Sequence, residues 1–246
     1  MSTILPFVRP ANTQNDILGW ATRNPPPWGK ESLLQWDHAL LDAVKPFASN
    51  HYWSDRHSVN AFAVVGTANR EHAGMTWSDL LLRGKRMHEN QTLLQRNPEY
   101  YHSVDIKVPV MRLVSMDGHR WLVNDGGDHR VCIARYHFER LRALGIASQT
   151  MLHGVMVDDY RIDWGMQQLY SDIQQLLLNR AGHFRVEPYV GPAKRVCGPG
   201  WRLDTFEPGI SLVRGNQPFR VLRRQEALAY RERLLSKPSG FLRWVR

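Results

Sequence analysis

The sequence has few cysteines and no long apolar run. Cys132 and Cys197 are the only cysteines among 246 residues, too few for a disulfide framework and without the spacing of a zinc site. No stretch approaches the roughly 20 apolar residues of a membrane helix. Residues 1–16 also lack the cationic and then apolar pattern of a secretory leader. We therefore predict a soluble cytoplasmic protein without membrane insertion.

Acidic residues are in the minority. The chain contains 23 Asp and Glu and 32 Lys and Arg, which gives a net charge of +9. This balance favours a polyanionic or acidic partner, although scattered solvated charges explain it equally well. Hydrophobic residues make up 43% of the chain, as in packed globular proteins, so disorder is not expected. We expect one large domain, or a core domain with terminal additions.

The stretch from Val108 to Gly145 is the part of the sequence that suggests chemistry. Apolar residues alternate from Val108 to Val114, and Asp117-Gly118 favours a two-residue hairpin turn before a return strand over Trp121 to Val123. After Gly126-Gly127 the apolar period becomes helical, and Gly145 is a fitting end. These patterns predict strand, turn, strand, glycine pair and helix in direct succession.

A strand that passes through a glycine pair into a helix leaves backbone N–H groups beside the positive end of the helix dipole. An anion fits there. Arg130 adds a guanidinium that matches a phosphate, and His129 adds a proton donor or acceptor near neutral pH. A helix start contributes about 0.3–1 kcal/mol and a charge-assisted hydrogen bond about 1.5–3 kcal/mol. That total reaches only the ~4 kcal/mol of millimolar binding, so other groups must contribute if a nucleotide is held.

Two further sets of residues are candidates for this site. Lys85 or Arg86, in a basic cluster on a predicted helix, can reach a bound anion, although a solvated helix face explains the cluster as well. Asp125 and Asp128 are candidate Mg²⁺ ligands, because that ion prefers oxygen, and helix capping is the alternative role of Asp128. Asp158-Asp159, at the end of a predicted strand, has the same two interpretations, metal binding or loop solvation.

The sequence Gly126 to Arg130, GGDHR, resembles the GGCHR signature of sulfiredoxin. The order of strand, Gly-Gly, Arg and amphipathic helix is similar to the arginine box of ParB partition proteins. Both belong to the ParB/sulfiredoxin superfamily, so the resemblance implies an α+β fold with a mixed-sheet core that binds ATP or another nucleotide at this helix start. Asp128 stands where sulfiredoxin has its catalytic cysteine, and Cys132 is no substitute, so peroxiredoxin repair is not expected.

Within that superfamily, the length, the basic balance and the DGGDHR box make the chain similar to plasmid fertility inhibition factors of the FiwA and Osa type. The resemblance implies suppression of the conjugative transfer of another plasmid, with nucleotide hydrolysis and DNA cleavage as activities. DNA and the transfer machinery or its coupling protein are the implied partners. Phosphate would approach Gly126 and Gly127, Arg130 and Lys85 would neutralise charge, Asp125 or Asp128 would hold Mg²⁺, and His129 or an acid would handle a proton.

The remaining patterns predict one arm, one long loop and several helices and strands. In chain order they are a proline-rich arm, a helix from Ser32 to Pro46, a strand over 59–66, a helix over 77–95 interrupted at Gly84, a strand over 151–157, a helix over 163–182, a loop over 184–207, strands over 210–213 and 219–222, and a helix over 223–235. We assign residues 1–58 to the arm and its helix, 59–182 to the ParB/sulfiredoxin-like core, and 183–246 to a basic C-terminal extension.

Basic and aromatic residues are interleaved in the C-terminal extension. Arg224, Arg231, Arg243 and Trp244 are candidates for gripping phosphates and stacking on the bases of nucleic acid. A partner-protein surface or an ordinary exposed helix explains them equally well. Two alternatives to a fertility inhibition enzyme therefore stay open: a non-catalytic module that binds DNA or a coupling protein, and a ParB-type DNA segregation protein.

Overall fold

The computed structural model describes residues 16–147, 149–178, 184–215 and 217–236. They form an α+β fold with parallel and antiparallel strands, which confirms the predicted fold class. The chain divides into two compact units that interleave along the sequence. Unit 1 comprises the described residues within 1–36, 55–114 and 119–157, and unit 2 those within 37–54, 115–118 and 158–246.

Unit 1 is a mixed sheet with four helices. Its strands lie in the order β1 (Leu34–Gln35), β3 (Val64–Thr67), β5 (Trp121–Asp125), β4 (Arg112–Ser115), the first part of β6 (Met151–Ile162) and the last part of β2 (Ala48–Asn60). β1, β3 and β5 are parallel, whereas β4 and β5 are antiparallel. The helices are α1 (Ile17–Arg23), α3 (Trp77–Arg83), α4 (Met87–Arg96) and α5 (Asp128–Ala143).

Unit 2 contains the start of β2, which pairs antiparallel with β9 (Trp201–Thr205), and β9 pairs with β8 (Lys194–Gly198). A second antiparallel sheet consists of β7 (Phe184–Val190), β10 (Pro208–Arg214) and β11 (Gln217–Leu222). Three helices belong to this unit: α2 (His38–Val44), α6 (Trp164–Leu178) and α7 (Arg224–Ser236). The inner residues of α6, α7 and the second sheet share one hydrophobic cluster with Phe47.

Helix α5 is fixed by a buried arginine. The Arg135 guanidinium carbon lies 4.4 Å from the Trp28 ring centroid and 4.1 Å from that of Trp77, and Nη1 donates to the Val64 carbonyl over 2.7 Å. Its neighbour Tyr136 contacts the Ser78 hydroxyl over 3.0 Å. Cation–π contacts and a satisfied donor make burial of this charge tolerable. The packing holds the start of α5 in a defined position at the end of β5.

Several predicted elements are confirmed. Thr76 caps α3, Gly84 separates α3 from α4, and the glycine pair precedes α5 as expected. The predicted strands around Gly215 correspond to β10 and β11, followed by α7. The hairpin of β4 and β5 is also present, but five residues join the strands instead of two, and β4 begins only at Arg112.

Other predictions, made from the local sequence pattern, were wrong because contacts with distant parts of the chain determine the structure there. Leu34–Gln35 is a strand because it pairs with β3, so the helix predicted from Ser32 begins only at His38, where the Asp37 side chain caps it. The strand predicted over 59–66 is divided by a 3-10 turn at Ala61–Ala63. The loop predicted over 184–207 contains three strands, β7, β8 and β9.

Buried His137, which contacts half-buried His102 in unit 1, is expected to make folding sensitive to acid. His137 Nε2 lies 2.9 Å from His102 Nε2, and burial, with the charges of His102 and Arg140 as lesser causes, lowers the pKa of His137 to about 3. Below its ordinary pKa of about 6.5, the unfolded chain takes up a proton that the folded protein does not. We therefore expect the free energy of unfolding to decrease as pH falls from about 6.5 towards 3, by at most about 1.4 kcal/mol per pH unit from this group.

Urea unfolding at several pH values measures this effect. His137→Gln should flatten the pH dependence in that window, whereas the same change at exposed His88 should leave the slope as in the wild type. Equal slopes for wild type and His137→Gln would contradict the expectation.

Candidate functional site

The turn between β5 and α5 requires both glycines. Gly126 has φ +53° and Gly127 has φ +134°, values that residues with a side chain rarely adopt. A Cβ on Gly127 would also lie only 3.0 Å from Met111 Cγ. The first helical hydrogen bond runs from Val131 N to the Gly127 carbonyl, so the preceding N–H groups have no partner inside the helix. The turn that the sequence predicts, a glycine pair leading directly into the start of α5, is therefore present.

Beside this turn lies a cavity of about 730 Å³, a size that suits a small-molecule ligand. We call it the arginine cavity, because Arg86, Arg112 and Arg130 line it together with Gly126 and Gly127. Two carboxylates, Glu89 and Asp125, also line it. Positive side chains thus outnumber negative ones around the helix start.

Arg130 is held against the wall of the arginine cavity by neutral acceptors. Its Nη1 donates to the Tyr100 hydroxyl over 2.9 Å and to the Pro109 carbonyl, and Nη2 donates to the Val110 carbonyl over 3.2 Å. Among the described residues no carboxylate pairs with it. The guanidinium is therefore oriented without losing its net charge to a counterion.

Arg86 and Arg112 are the other two arginines of this cavity, and sequence reasoning had not assigned Arg112 to the site. Within the part of the chain that the structure describes, neither guanidinium makes a hydrogen bond or an ion pair. Lys85 differs, because its Nζ contacts Glu71 Oε2 over 3.0 Å and this contact lowers the pKa of Glu71. Arg86 and Arg112 are thus better placed than Lys85 to compensate a ligand's charge.

The arginine cavity also has an apolar side. Leu93, Val108 and Val110 line it and are exposed by 59%, 76% and 40%, and the Tyr100 ring stands nearby. Exposed aliphatic side chains at a cavity wall gain free energy when a flat apolar group covers them. One ligand can therefore place a planar ring here and an anionic group near the glycines.

A second cavity, of about 520 Å³, shares the glycine pair, Asp125, Arg86 and His129 with the first. We call it the histidine cavity, because His72 and His129 line it with Asp128. Asp128 is only 7% exposed, and its Oδ2 lies 3.0 Å from His72 Nδ1. Its Oδ1 is buried without a hydrogen-bond partner among the described residues.

His129 lies against His72 with ring centroids 4.9 Å apart in an edge-to-face arrangement. Burial lowers the pKa of the His129 imidazole, which favours its neutral form. Gly84 leaves room for this ring, since a Cβ there would lie 2.8 Å from His129 Cδ2. The predicted proton-handling residue is present at the site, but a second histidine accompanies it.

The carboxylates proposed for Mg²⁺ occupy different surroundings. Asp125 is exposed at the end of β5 and borders both cavities, whereas Asp128 is buried against His72. The described residues contain no group of three or more His, Cys, Asp or Glu side chains arranged for a metal ion. Asp125 can contribute one oxygen ligand beside a phosphate, whereas Asp128 Oδ2 already contacts His72.

Asp158-Asp159 does not follow a strand, contrary to the sequence expectation. Both residues lie inside β6, where successive side chains point to opposite faces. Asp158 Oδ1 lies 2.8 Å from His51 Nε2, and Asp159 Oδ2 accepts from Arg161 Nε over 2.8 Å. The two carboxylates therefore do not converge on one ion.

The candidate nucleic-acid residues of α7 make ion pairs inside unit 2. Arg224 pairs with Asp163, and Arg231 Nε donates to Asp172 Oδ2 over 2.7 Å. These carboxylates offset the positive charges that were expected to contact phosphate. Arg243 and Trp244 lie outside the described residues.

Sequence reasoning identified the turn but not its surroundings. His72 and Tyr100 lie in segments without a recognisable motif, 56 and 30 residues before their partners Asp128 and Arg130.

Across the described ranges, no helix is long and apolar enough to cross a membrane. Comparison of the chain with protein-family models, curated proteins and solved structures gives no match.

Proposed function

We propose that this protein binds a nucleotide in the arginine cavity and acts as a plasmid fertility inhibition factor that suppresses conjugative DNA transfer. The observation that carries the proposal is that Arg86, Arg112 and Arg130 line one cavity together with the turn at Gly126 and Gly127. ATP or another nucleotide supplies both a polyanion for the arginines and a flat ring for the apolar wall.

The added arginines supply the free energy that the turn alone lacks. Three charge-assisted contacts at about 1.5–3 kcal/mol each bring the total near the ~8 kcal/mol of micromolar binding, before association costs. Backbone N–H groups at the start of α5 add a favourable dipole. The proposal therefore does not depend on the ion-paired Lys85.

Mg²⁺ fits this proposal through Asp125. That exposed carboxylate borders both cavities, and Mg²⁺ in nucleotide sites often takes one or two carboxylates together with phosphate oxygens and water. When bound, the ion would neutralise phosphate charge.

Equilibrium binding of fluorescent ATP, GTP and CTP analogues tests the proposed site. Arg112→Gln should weaken binding about 10- to 100-fold, because one charge-assisted contact is lost. Arg96→Gln is the matched control, since Arg96 is exposed on α4, does not line the arginine cavity and removes the same net charge. Equal affinities for the two variants would refute the site.

A mating assay tests the biological part of the proposal. Expression of the wild-type chain should reduce transfer of a second, conjugative plasmid, and Arg112→Gln should restore transfer while Arg96→Gln should not. DNA cleavage with and without Mg²⁺ can be measured on the same variants. If Arg112→Gln still inhibits transfer, the alternative of a non-catalytic module that binds DNA or a coupling protein replaces the nucleotide-dependent one.

A further inference from the structure

His72 and Asp128 form a buried pair that no local sequence motif predicts. Asp128 is 7% exposed and His72 is 7% exposed, and Oδ2 lies 3.0 Å from Nδ1. A buried carboxylate is retained at low cost only when it is paired or hydrogen-bonded. Asp128 keeps a second oxygen without a partner among the described residues, in a side chain that lines the histidine cavity.

The surroundings favour one tautomer of His72. Asn69 Nδ2 also approaches His72 Nδ1, at 3.2 Å, but Nδ1 cannot donate to Asp128 and accept from Asn69 at once. A bond to a carboxylate contributes about 1.5–3 kcal/mol and a neutral bond about 0.5–1.5 kcal/mol. The proton therefore belongs on Nδ1, facing Asp128. This leaves the lone pair on Nε2, the nitrogen that can accept a proton.

The pair stands next to the place where phosphate is expected. Gly126 and Gly127 line both the arginine cavity and the histidine cavity, so an anion at their N–H groups borders both. Lys85 and Arg86 also line the histidine cavity, together with the carboxylates Glu71, Asp125 and Asp128, and Lys85 is paired with Glu71. A base, an oriented carboxylate and Arg86 thus lie at one wall of the nucleotide site.

We propose that His72 is the general base for hydrolysis of the bound nucleoside triphosphate and that Asp128 positions it, an inference that rests on the proposed nucleotide binding. The oxygen of a water molecule forms a bond to the terminal phosphorus, and the water proton passes to His72 Nε2. The bond from that phosphorus to the bridging oxygen breaks, and its electron pair leaves with the nucleoside diphosphate. The Asp128 carboxylate stabilises the imidazolium until the proton returns to solvent.

Nucleotide affinity and phosphate release measured on the full chain test this assignment. His72→Ala should lower kcat about 100- to 10,000-fold, the range expected for loss of a general base, and should keep Kd close to the wild-type value. Added imidazole should restore part of the rate, which a purely structural role of His72 would not allow. Asp128→Asn should also lower kcat without weakening binding. Exposed His88→Ala, on α4 and outside both cavities, is the matched control.

The outcomes separate this inference from the proposed function. Wild-type protein that binds nucleotide without releasing phosphate overturns the role of His72 and leaves nucleotide binding intact. Hydrolysis by His72→Ala at the wild-type rate also overturns it. Wild-type protein that binds no nucleotide overturns the proposed function and this inference together. If His72→Ala does not fold, His72→Gln, which keeps a polar side chain of similar reach, provides the same comparison.

Discussion

Arg130→Ala is expected to weaken nucleotide binding at least about 100-fold. The variant loses the contact between the guanidinium and the anion, and it also loses the hydrogen bonds that hold the cavity wall in place. Arg130 donates to Tyr100 and to the carbonyls of Pro109 and Val110, and these acceptors lose their donor in the variant. Isothermal titration calorimetry with ATP measures the change. Circular dichroism should show a wild-type content of helix and strand.

Arg130→Lys distinguishes the contribution of the positive charge to nucleotide binding from that of the planar guanidinium. Lysine keeps the positive charge but cannot hold Tyr100 and Val110 while also contacting a phosphate, because it lacks the planar fork of donors. We expect a loss of about tenfold for this variant, between wild type and Arg130→Ala. Wild-type affinity in Arg130→Ala would show that the ligand does not use this part of the cavity.

Arg135→Ala is expected to lower the free energy of unfolding by about 3–5 kcal/mol, the scale for breaking buried charged or large apolar contacts. Arg135 is 2% exposed, and burial lowers its pKa to about 10. Removal leaves the Val64 carbonyl without its donor and a void between the rings of Trp28 and Trp77. Urea unfolding followed by tryptophan fluorescence measures the loss.

Arg142→Ala is the matched control on the same helix. The Arg142 side chain is 61% exposed and pairs with Glu139 near the end of α5. Surface ion pairs contribute about 0–1 kcal/mol, so this variant should remain near wild-type stability. A loss for Arg135→Ala no larger than that for Arg142→Ala would contradict the structural role of the buried arginine.

The features that sequence reasoning placed well are those fixed by local chemistry. Gly126 and Gly127 adopt positive φ angles that other residues avoid, and Thr76 caps α3 through its own side chain. Such signals need no knowledge of distant neighbours. The start of α5, and with it the centre of the candidate site, was therefore predictable.

The features that were missed depend on partners far along the chain. Leu34 joins a strand because β3 lies beside it, and Gly66 permits the close approach, since a Cβ there would lie 2.1 Å from the Leu34 carbonyl. His72 reaches Asp128 only in the folded protein. Neither pairing leaves a periodic pattern in the sequence.

The stretch from 184 to 207 shows how glycine and proline can mislead. Gly191-Pro192 lies between β7 and β8, and Gly200, with φ +75°, lies in the turn between β8 and β9. Pro188 is inside β7, an edge strand, where a missing N–H donor is tolerated. Most of these glycines and prolines therefore mark turns between short strands, not one continuous loop.

Amide chemical shifts in an isotope-labelled sample test most directly whether phosphate binds at the glycine turn. Addition of ATP should move the backbone amide signals of Gly126, Gly127 and Asp128 more than any in unit 2, and Arg112→Gln should weaken that response. Signals at the turn that stay in place while ATP is bound elsewhere would contradict the claim.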